Sequence, residues 1–196
     1  PSAVPQPVSE SIAATSTWIS KWVDYSNKYG LGYQLSDGSV GVLFNDSTKM
    51  VLSADQSKIE SIERSSAGHV VTHLTLTDYP ATLTKKVTLL KYFQSYMNKN
   101  LLNGGNGSPT PADMSKRDDM MHVKKWIRTS QAIVFRLSQG VIQINFFDHA
   151  KVIFNAPLGL ITFVDKTRET NTYSLRDIAK ANVSDVIISD LIERLP

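Results

Sequence analysis

YQLSDGSVGVLFNDSTKMVL, residues 33–52, and FRLSQGVIQINFFDHAKVIF, residues 135–154, superpose without a gap when the chain is slid along itself by 102 positions. Identities fall at Leu35 and Leu137, Ser36 and Ser138, Gly38 and Gly140, Phe44 and Phe146, Asp46 and Asp148, and Lys49 and Lys151, with apolar matched to apolar between them. The register continues through Ile59 with Ile161, Ile62 with Val164, Glu63 with Asp165 and Arg64 with Lys166. Agreement sustained over this length implies an internal duplication, which has to be found before any fold is assigned.

Within each copy, short runs rich in Val, Ile, Phe, Tyr and Thr alternate with turn signals such as Ser36-Asp37-Gly38 and Gln139-Gly140. That pattern predicts antiparallel strands joined by tight turns, five or six per copy. Each copy then changes period. Leu83, Val87, Leu90, Phe93, Met97 and Leu101 fall on one face of a helix announced by Asp78 and Pro80. Its counterpart opens at Ser174-x-x-Asp177, spaced as a capping box, and runs through Ile178, Ile187, Leu191 and Leu195. The expected organisation is therefore two units, 18–102 and 121–196, each a meander followed by a helix. Residues 103–120, with Gly104, Gly105, Gly107, Pro109 and Pro111, read as the linker between them. Residues 1–17, rich in Pro, Ser and Ala, read as a linker or the remnant of a cap.

Composition narrows the function classes. With 41% apolar and 20% charged residues the chain is ordinary for a globular protein, and no apolar run approaches the ~18 residues that would suggest a membrane span. The absence of cysteine removes disulfides and thiolate metal sites and suits a reducing compartment. A net charge of +3 permits an anionic partner, but the basic residues are interspersed with acids, and Lys85-Lys86 and Lys124-Lys125 are the largest clusters. Nucleic acid is not an expected partner. No phosphate-binding glycine loop, metalloprotease helix or nucleophile elbow is present, so no catalytic residue and no enzyme activity are assigned. His69 and His73 lie in strand-like sequence, where four residues is too wide a spacing for one ion, and neither a metal nor a cofactor is expected.

Two positions carry chemistry. His149 and Lys151 are two apart, so on a strand they project from one face and can hold one anion between an imidazole and an ammonium. The first copy has Ser47 and Lys49 in their places, which predicts a single phosphate site rather than two. Trp22, within WISKWVDY, alternates with Trp18 and Ser20 on one strand face; by composition alone it reads as core.

The stretch WISKWVDYSNKYGLGYQLSDGSVGVLFNDSTKMVL, then KKVTLLKYFQSYM, then VIQINFFDHAKVIF together resemble the polo-box domain of polo-like kinases. The resemblance spans Trp18 to Leu195. It implies an α+β fold of two tandem polo boxes, each a six-stranded antiparallel sheet plus one helix, packed as a β-sandwich with the ligand between the boxes. It implies a non-catalytic module of a serine/threonine kinase that docks onto proteins carrying Ser-pSer or Ser-pThr motifs, commonly followed by proline. A scaffold or self-association domain for unphosphorylated partners is the alternative. Carried over by position, the phosphate pincer falls on His149 and Lys151 and the ligand-gripping tryptophan on Trp22. Backbone groups around Asp24, together with Leu101 and Leu102, match positions that hold the peptide, with Asn145 and Arg168 as lesser contributors and Arg128 acting through water or at long range. Tyr25, Tyr29, Tyr92, Phe93 and Tyr96 resemble an aromatic groove beside the cleft, or are simply core. Expected partners are phosphorylated proteins and the kinase's own catalytic domain. Cytoplasm, nucleus, centrosome, kinetochore and spindle are the implied locations, with no membrane association. Two departures stand out. The chain lacks a residue that some relatives carry between the paired phenylalanines and Asp148-His149, and its cap helix before the first box is weakly represented.

Overall fold

The computed structural model describes residues 5–66, 68–101 and 119–180. In chain order the elements are a short helix α1 (Glu10–Ala13) and then strands β1 (Ile19–Tyr25), β2 (Gly30–Leu35), β3 (Val40–Phe44), β4 (Lys49–Leu52), β5 (Ile59–Ser65) and β6 (Gly68–Leu74). Helix α2 (Thr84–Asn100) follows, and then β7 (Val123–Arg128), β8 (Ala132–Leu137), β9 (Val141–Phe146), β10 (Lys151–Asn155), β11 (Leu160–Val164), β12 (Thr170–Ser174) and α3 (Leu175–Lys180). Each set of six strands is a plain antiparallel meander, ordered β1 to β6 in one sheet and β12 to β7 in the other. The expected six strands and one helix are present in each copy. Helix α2 is led in by a single 3₁₀ turn over Ala81–Leu83 and buries Val87, Leu90, Phe93 and Met97, four of the six predicted positions. Leu102, most of the linker 103–120 and the helix positions Ile187, Leu191 and Leu195 lie outside the described residues.

The sheets pack face to face through one continuous core. Leu31, Tyr33 and Leu35 of β2 meet Ile133, Phe135 and Leu137 of β8, their equivalents in the repeat, together with Ile19, Val123, Ile153 and Val164. Full burial of side chains this size is worth roughly 1.5–3 kcal/mol each. Polar ties cross the same interface. The backbone N–H of Ile19 donates to Gln143 Oε1 at 2.6 Å, and Gln143 Nε2 donates back to the Ile19 carbonyl at 2.9 Å. Reciprocally, the Val123 N–H donates to the Tyr33 hydroxyl at 3.0 Å. Burial raises the Tyr33 pKa far above its ordinary value, so the phenol stays neutral.

The outer faces carry the helices. Phe93 of α2 lies so close over Gly32 that any Cβ there would clash with its ring. On the other sheet a separate cluster around Ile144, Phe146 and Val152 packs against Leu175 and Ile178 of α3. The layers therefore run helix, sheet, sheet, helix.

The segment before the first box is more structured than its composition suggests. Glu10–Ala13 forms one helical turn, the Val8 N–H donates to the Thr172 carbonyl of β12 at 2.7 Å, and Asn155 Nδ2 donates to Ser16 Oγ at 3.1 Å. It straps onto the second sheet through hydrogen bonds, which a hydrophobicity pattern cannot register.

Candidate binding cleft

Strand β1 is an edge strand, and its inward side is set by a bulge between Ile19 and Lys21. The bulge reverses the expected alternation. Ile19, Trp22 and Asp24 pair with Leu35, Tyr33 and Leu31 and share the side facing the second sheet. Ser20 is the bulge residue, its hydroxyl donating to the Gln34 and Leu35 carbonyls. Lys21 turns the other way and donates to the Met97 carbonyl of α2 at 3.3 Å. Trp22 is half-buried, its ring edge-on to Phe135 of the second sheet at 5.9 Å. It is one of the partly buried side chains packed against the shared core.

The opposite wall is the β9–β10 hairpin. His149 does not lie on a strand as its spacing to Lys151 suggested. It occupies the turn with φ of 77°, a left-handed conformation uncommon outside glycine, Asn and Asp. The turn is closed by the His149 N–H donating to the Phe146 carbonyl and the Phe146 N–H donating to the Ala150 carbonyl, at 3.1 and 2.9 Å. His149 is exposed, so its imidazole is presented from a turn rather than from a strand face.

Lys151 is the first residue of β10, across from Asn145 and Val164 on the inward face. Its ammonium lies 5.1 Å from the centre of the Trp18 ring. Burial, reinforced by the nearby Arg168 guanidinium, brings its pKa down to about 8. Asn145 is buried and accepts from Gln143 Nε2 at 2.8 Å, which places it in the interface network. Arg168 sits in the β11–β12 turn with φ of 70°.

The walls are joined by a contact that sequence reading gave only as a long-range contribution. Arg128 of β7 lies 3.7 Å from Asp24 of β1, and its guanidinium stacks 5.3 Å from the Phe147 ring beside His149. Asp24 also accepts from the Ser26 N–H and hydroxyl. A line of contacts thus runs from β1 through Arg128 to the hairpin. Phe147, which sequence reading did not single out, anchors it.

The aromatic positions divide. Tyr25 and Tyr29 stack at 5.9 Å, Tyr92 and Tyr96 at 6.4 Å, and each of the four tyrosines is between 37 and 50% exposed. Phe93 touches both groups but is only 1% exposed and belongs to the core. Leu101 caps α2 and packs half-buried against the first box's outer cluster. Beyond the cleft, Glu60, His73 and Asp119 bring ligand atoms within 4.8 Å of one another. The Lys58 ammonium, 2.9 Å from the Glu60 carboxylate, supplies the counter-charge there.

Two meander-and-helix units that share one core, with Lys151 of the second reaching Trp18 of the first, define a duplicated β-sheet module. The family model described as POLO box duplicated region matches residues 27–87 and 129–195, and the chain belongs to that family. Among curated proteins it is similar to the serine/threonine-protein kinase PLK1 of Xenopus laevis, 48% identical over 159 residues, covering 81% of this chain and 26% of that protein. It is also similar to the serine/threonine-protein kinase plk-1 of Caenorhabditis elegans, 45% identical over 167 residues, covering 83% of this chain and 25% of that one. The chain thus spans about a quarter of the length of these relatives. Among solved structures, the polo-box domain of budding yeast Cdc5 in complex with Spc72 phosphopeptide matches with a TM-score of 0.73 and 28% identity, over 90% of this chain and 68% of that chain. No helix among the described residues is long and apolar enough to cross a membrane.

Proposed function

We propose that the chain is the docking module of a polo-like serine/threonine kinase and binds Ser-pSer or Ser-pThr peptides, often followed by proline, between its boxes. The observation that carries this reading is a poorly solvated Lys151 ammonium beside Arg168, at a cleft whose other wall is a free edge strand bearing Trp22. A doubly charged phosphate entering there relieves the repulsion between the two cations and restores solvation that burial removed. His149 reaches from its turn to supply a second donor. Trp22 packs on the peptide, and the outer edge of β1 pairs with its backbone by strand addition. Asp24, Leu101 and Leu102 hold the residues preceding the phosphate, and Asn145 and Arg128 fix the geometry of the walls. Catalysis belongs to the remainder of the kinase, which this module delivers to primed proteins at centrosome, kinetochore and spindle. It needs no metal or cofactor.

The reading is tested by titrating one Ser-Thr-Pro peptide with and without phosphate on the threonine, following fluorescence anisotropy. The phosphorylated form is expected to bind about a hundredfold more tightly, the value of two charge-assisted contacts. Equal affinities would instead support a scaffold for unphosphorylated partners.

A further inference from the structure

The two boxes exchange roles across the shared core. Trp22 pairs with Tyr33 in the first sheet and Trp126 pairs with Phe135, the repeat equivalent of Tyr33, in the second. Asp24 and Arg128 occupy matching positions, opposite Leu31 and Ile133. The cleft described above lies between β1 and the β9–β10 hairpin, so the same relation places β7 opposite the β3–β4 hairpin.

A cavity of about 350 Å³ opens there, with Ser47 and Lys49 contributed by the hairpin and Lys124, Lys125 and Trp126 by β7. No aspartate or glutamate lines it. Lys49 is only 6% exposed, and its ammonium donates to the Ser47 carbonyl at 3.1 Å. Its pKa is lowered by burial and then by the charge of Lys124. Among the described residues none of these three lysines forms an ion pair, and the outer edge of β7 pairs with no strand. Concentrated, uncompensated positive charge in a concave site favours an anionic occupant. An open edge favours an extended one.

We propose that this second cleft binds an unphosphorylated acidic segment of a partner protein, extended along β7, with its carboxylates on Lys49 and Lys124 and an apolar side chain on Trp126. Carboxylates fit better than a phosphate. The hairpin offers Ser47 where the other has His149, so it lacks a two-pronged grip on one dianion. The remaining charge on the wall opposite is that of Lys124, at the β7 bulge, so the two ammonium groups come from different elements, which suits single charges spaced along a peptide. The site is separate from the phosphopeptide cleft, and both can be filled at once.

The test uses the whole chain with the first cleft saturated by a phosphorylated Ser-Thr-Pro peptide. A fluorescein-labelled peptide alternating glutamate with valine is then titrated. Binding is expected, with a shift of the Trp126 indole N–H resonance, assigned through Trp126→Phe. Lys124→Glu, at an exposed position, is expected to weaken it by about tenfold or more, the scale of one charge-assisted contact. The same change leaves the phosphopeptide affinity unaltered, which also shows that the fold is intact. Lys85→Glu, on the remote α2 face, is expected to have little effect. The proposal is overturned by any of four results: no binding, insensitivity to Lys124→Glu, equal loss with Lys85→Glu, or displacement of the acidic peptide by phosphopeptide. It is equally overturned if replacing one glutamate by phosphoserine strengthens binding here by about tenfold or more, which would make this a second phosphate site.

Discussion

The two corresponding hairpins, residues 44–49 and 146–151, share a backbone and differ in chemistry. In both, the fourth residue takes a left-handed conformation, Ser47 at 68° and His149 at 77°. In both, an aspartate carboxylate accepts the N–H two residues on, from Thr48 in one and Ala150 in the other. A lysine then turns inward from the first position of the returning strand. The aspartates are paired in parallel fashion, Asp46 with Lys86 at 2.8 Å and Asp148 with Lys166 at 3.1 Å. What differs is the residue at the left-handed position, serine against histidine, the residue after it, threonine against alanine, and the residue before the aspartate. Asn45 donates to the Ser26 carbonyl, whereas Phe147 stacks on Arg128. Duplication conserved the frame and the lysine, and specialisation acted on the side chains the turn presents.

The sharpest way to break this comparison is to remove the specialised pair. His149→Ala with Lys151→Met is expected to lower phosphopeptide affinity by at least about a hundredfold, with a thermal unfolding midpoint no lower than that of the parent protein, because Lys151→Met also removes the burial penalty of the ammonium. Two charge-assisted contacts are worth roughly 3–6 kcal/mol when additive, and neighbours fall short of additivity. A double variant that still prefers the phosphorylated peptide by about tenfold would place the anion elsewhere.

A smaller effect comes from pH. With a pKa near 8 in the free protein, Lys151 loses its proton as pH rises through that value. Affinity is therefore expected to fall by about tenfold from pH 8 to pH 9.5, with proton uptake on binding rising from about half a proton at pH 8 toward one at pH 9.5, read from calorimetry in buffers of different ionisation enthalpy. Stability moves the other way. A lysine whose pKa is depressed on folding is protonated longer in the unfolded chain, so its burial penalty is full below pH 8 and fades between 8 and 10.5. Lys151→Arg keeps its charge and should flatten both profiles.

The smallest expected effect tests whether the frame alone is enough. Ser47→His places an imidazole at the matching left-handed position beside Lys49. It should leave stability within about 0.5 kcal/mol and give the second cleft a gain of a few-fold at most for a phosphorylated peptide, measured by calorimetric stoichiometry. A strong second site would mean that the hairpin, rather than the wall opposite, sets affinity.

The fold was largely legible because the repeat carries its own confirmation: each strand, turn and helix prediction in one copy could be checked against the other. The site was less so. The Ile19–Lys21 bulge changes which β1 side chains share a face, and a bulge has no hydrophobic period to announce it. His149 looked like a strand residue because the neighbouring period is two, while left-handed turns are signalled best by glycine or asparagine, neither of which is present at 147–150. Trp126 was missed as the counterpart of Trp22 because Trp22 pairs eleven residues on and Trp126 nine, so the gap-free offset no longer aligns them. Contacts such as Arg128 with Phe147 depend on how the two sheets meet, which local pattern does not encode.

The shared core also sets a timetable for the nascent chain. Ile19 is completed by Gln143, 124 residues later, and the cluster closes only with Val164. At synthesis rates of roughly 5–20 residues per second, the first sheet leaves the ribosome with its inward face bare for several seconds before its partner is made. During that interval Leu31, Tyr33 and Leu35 have no second layer, and the open edge of β1 is available to any strand nearby. Ligand-binding geometry that depends on two halves meeting is thus obtained at the cost of a slow, high-contact-order assembly in which a holding chaperone has a defined stretch of chain to protect.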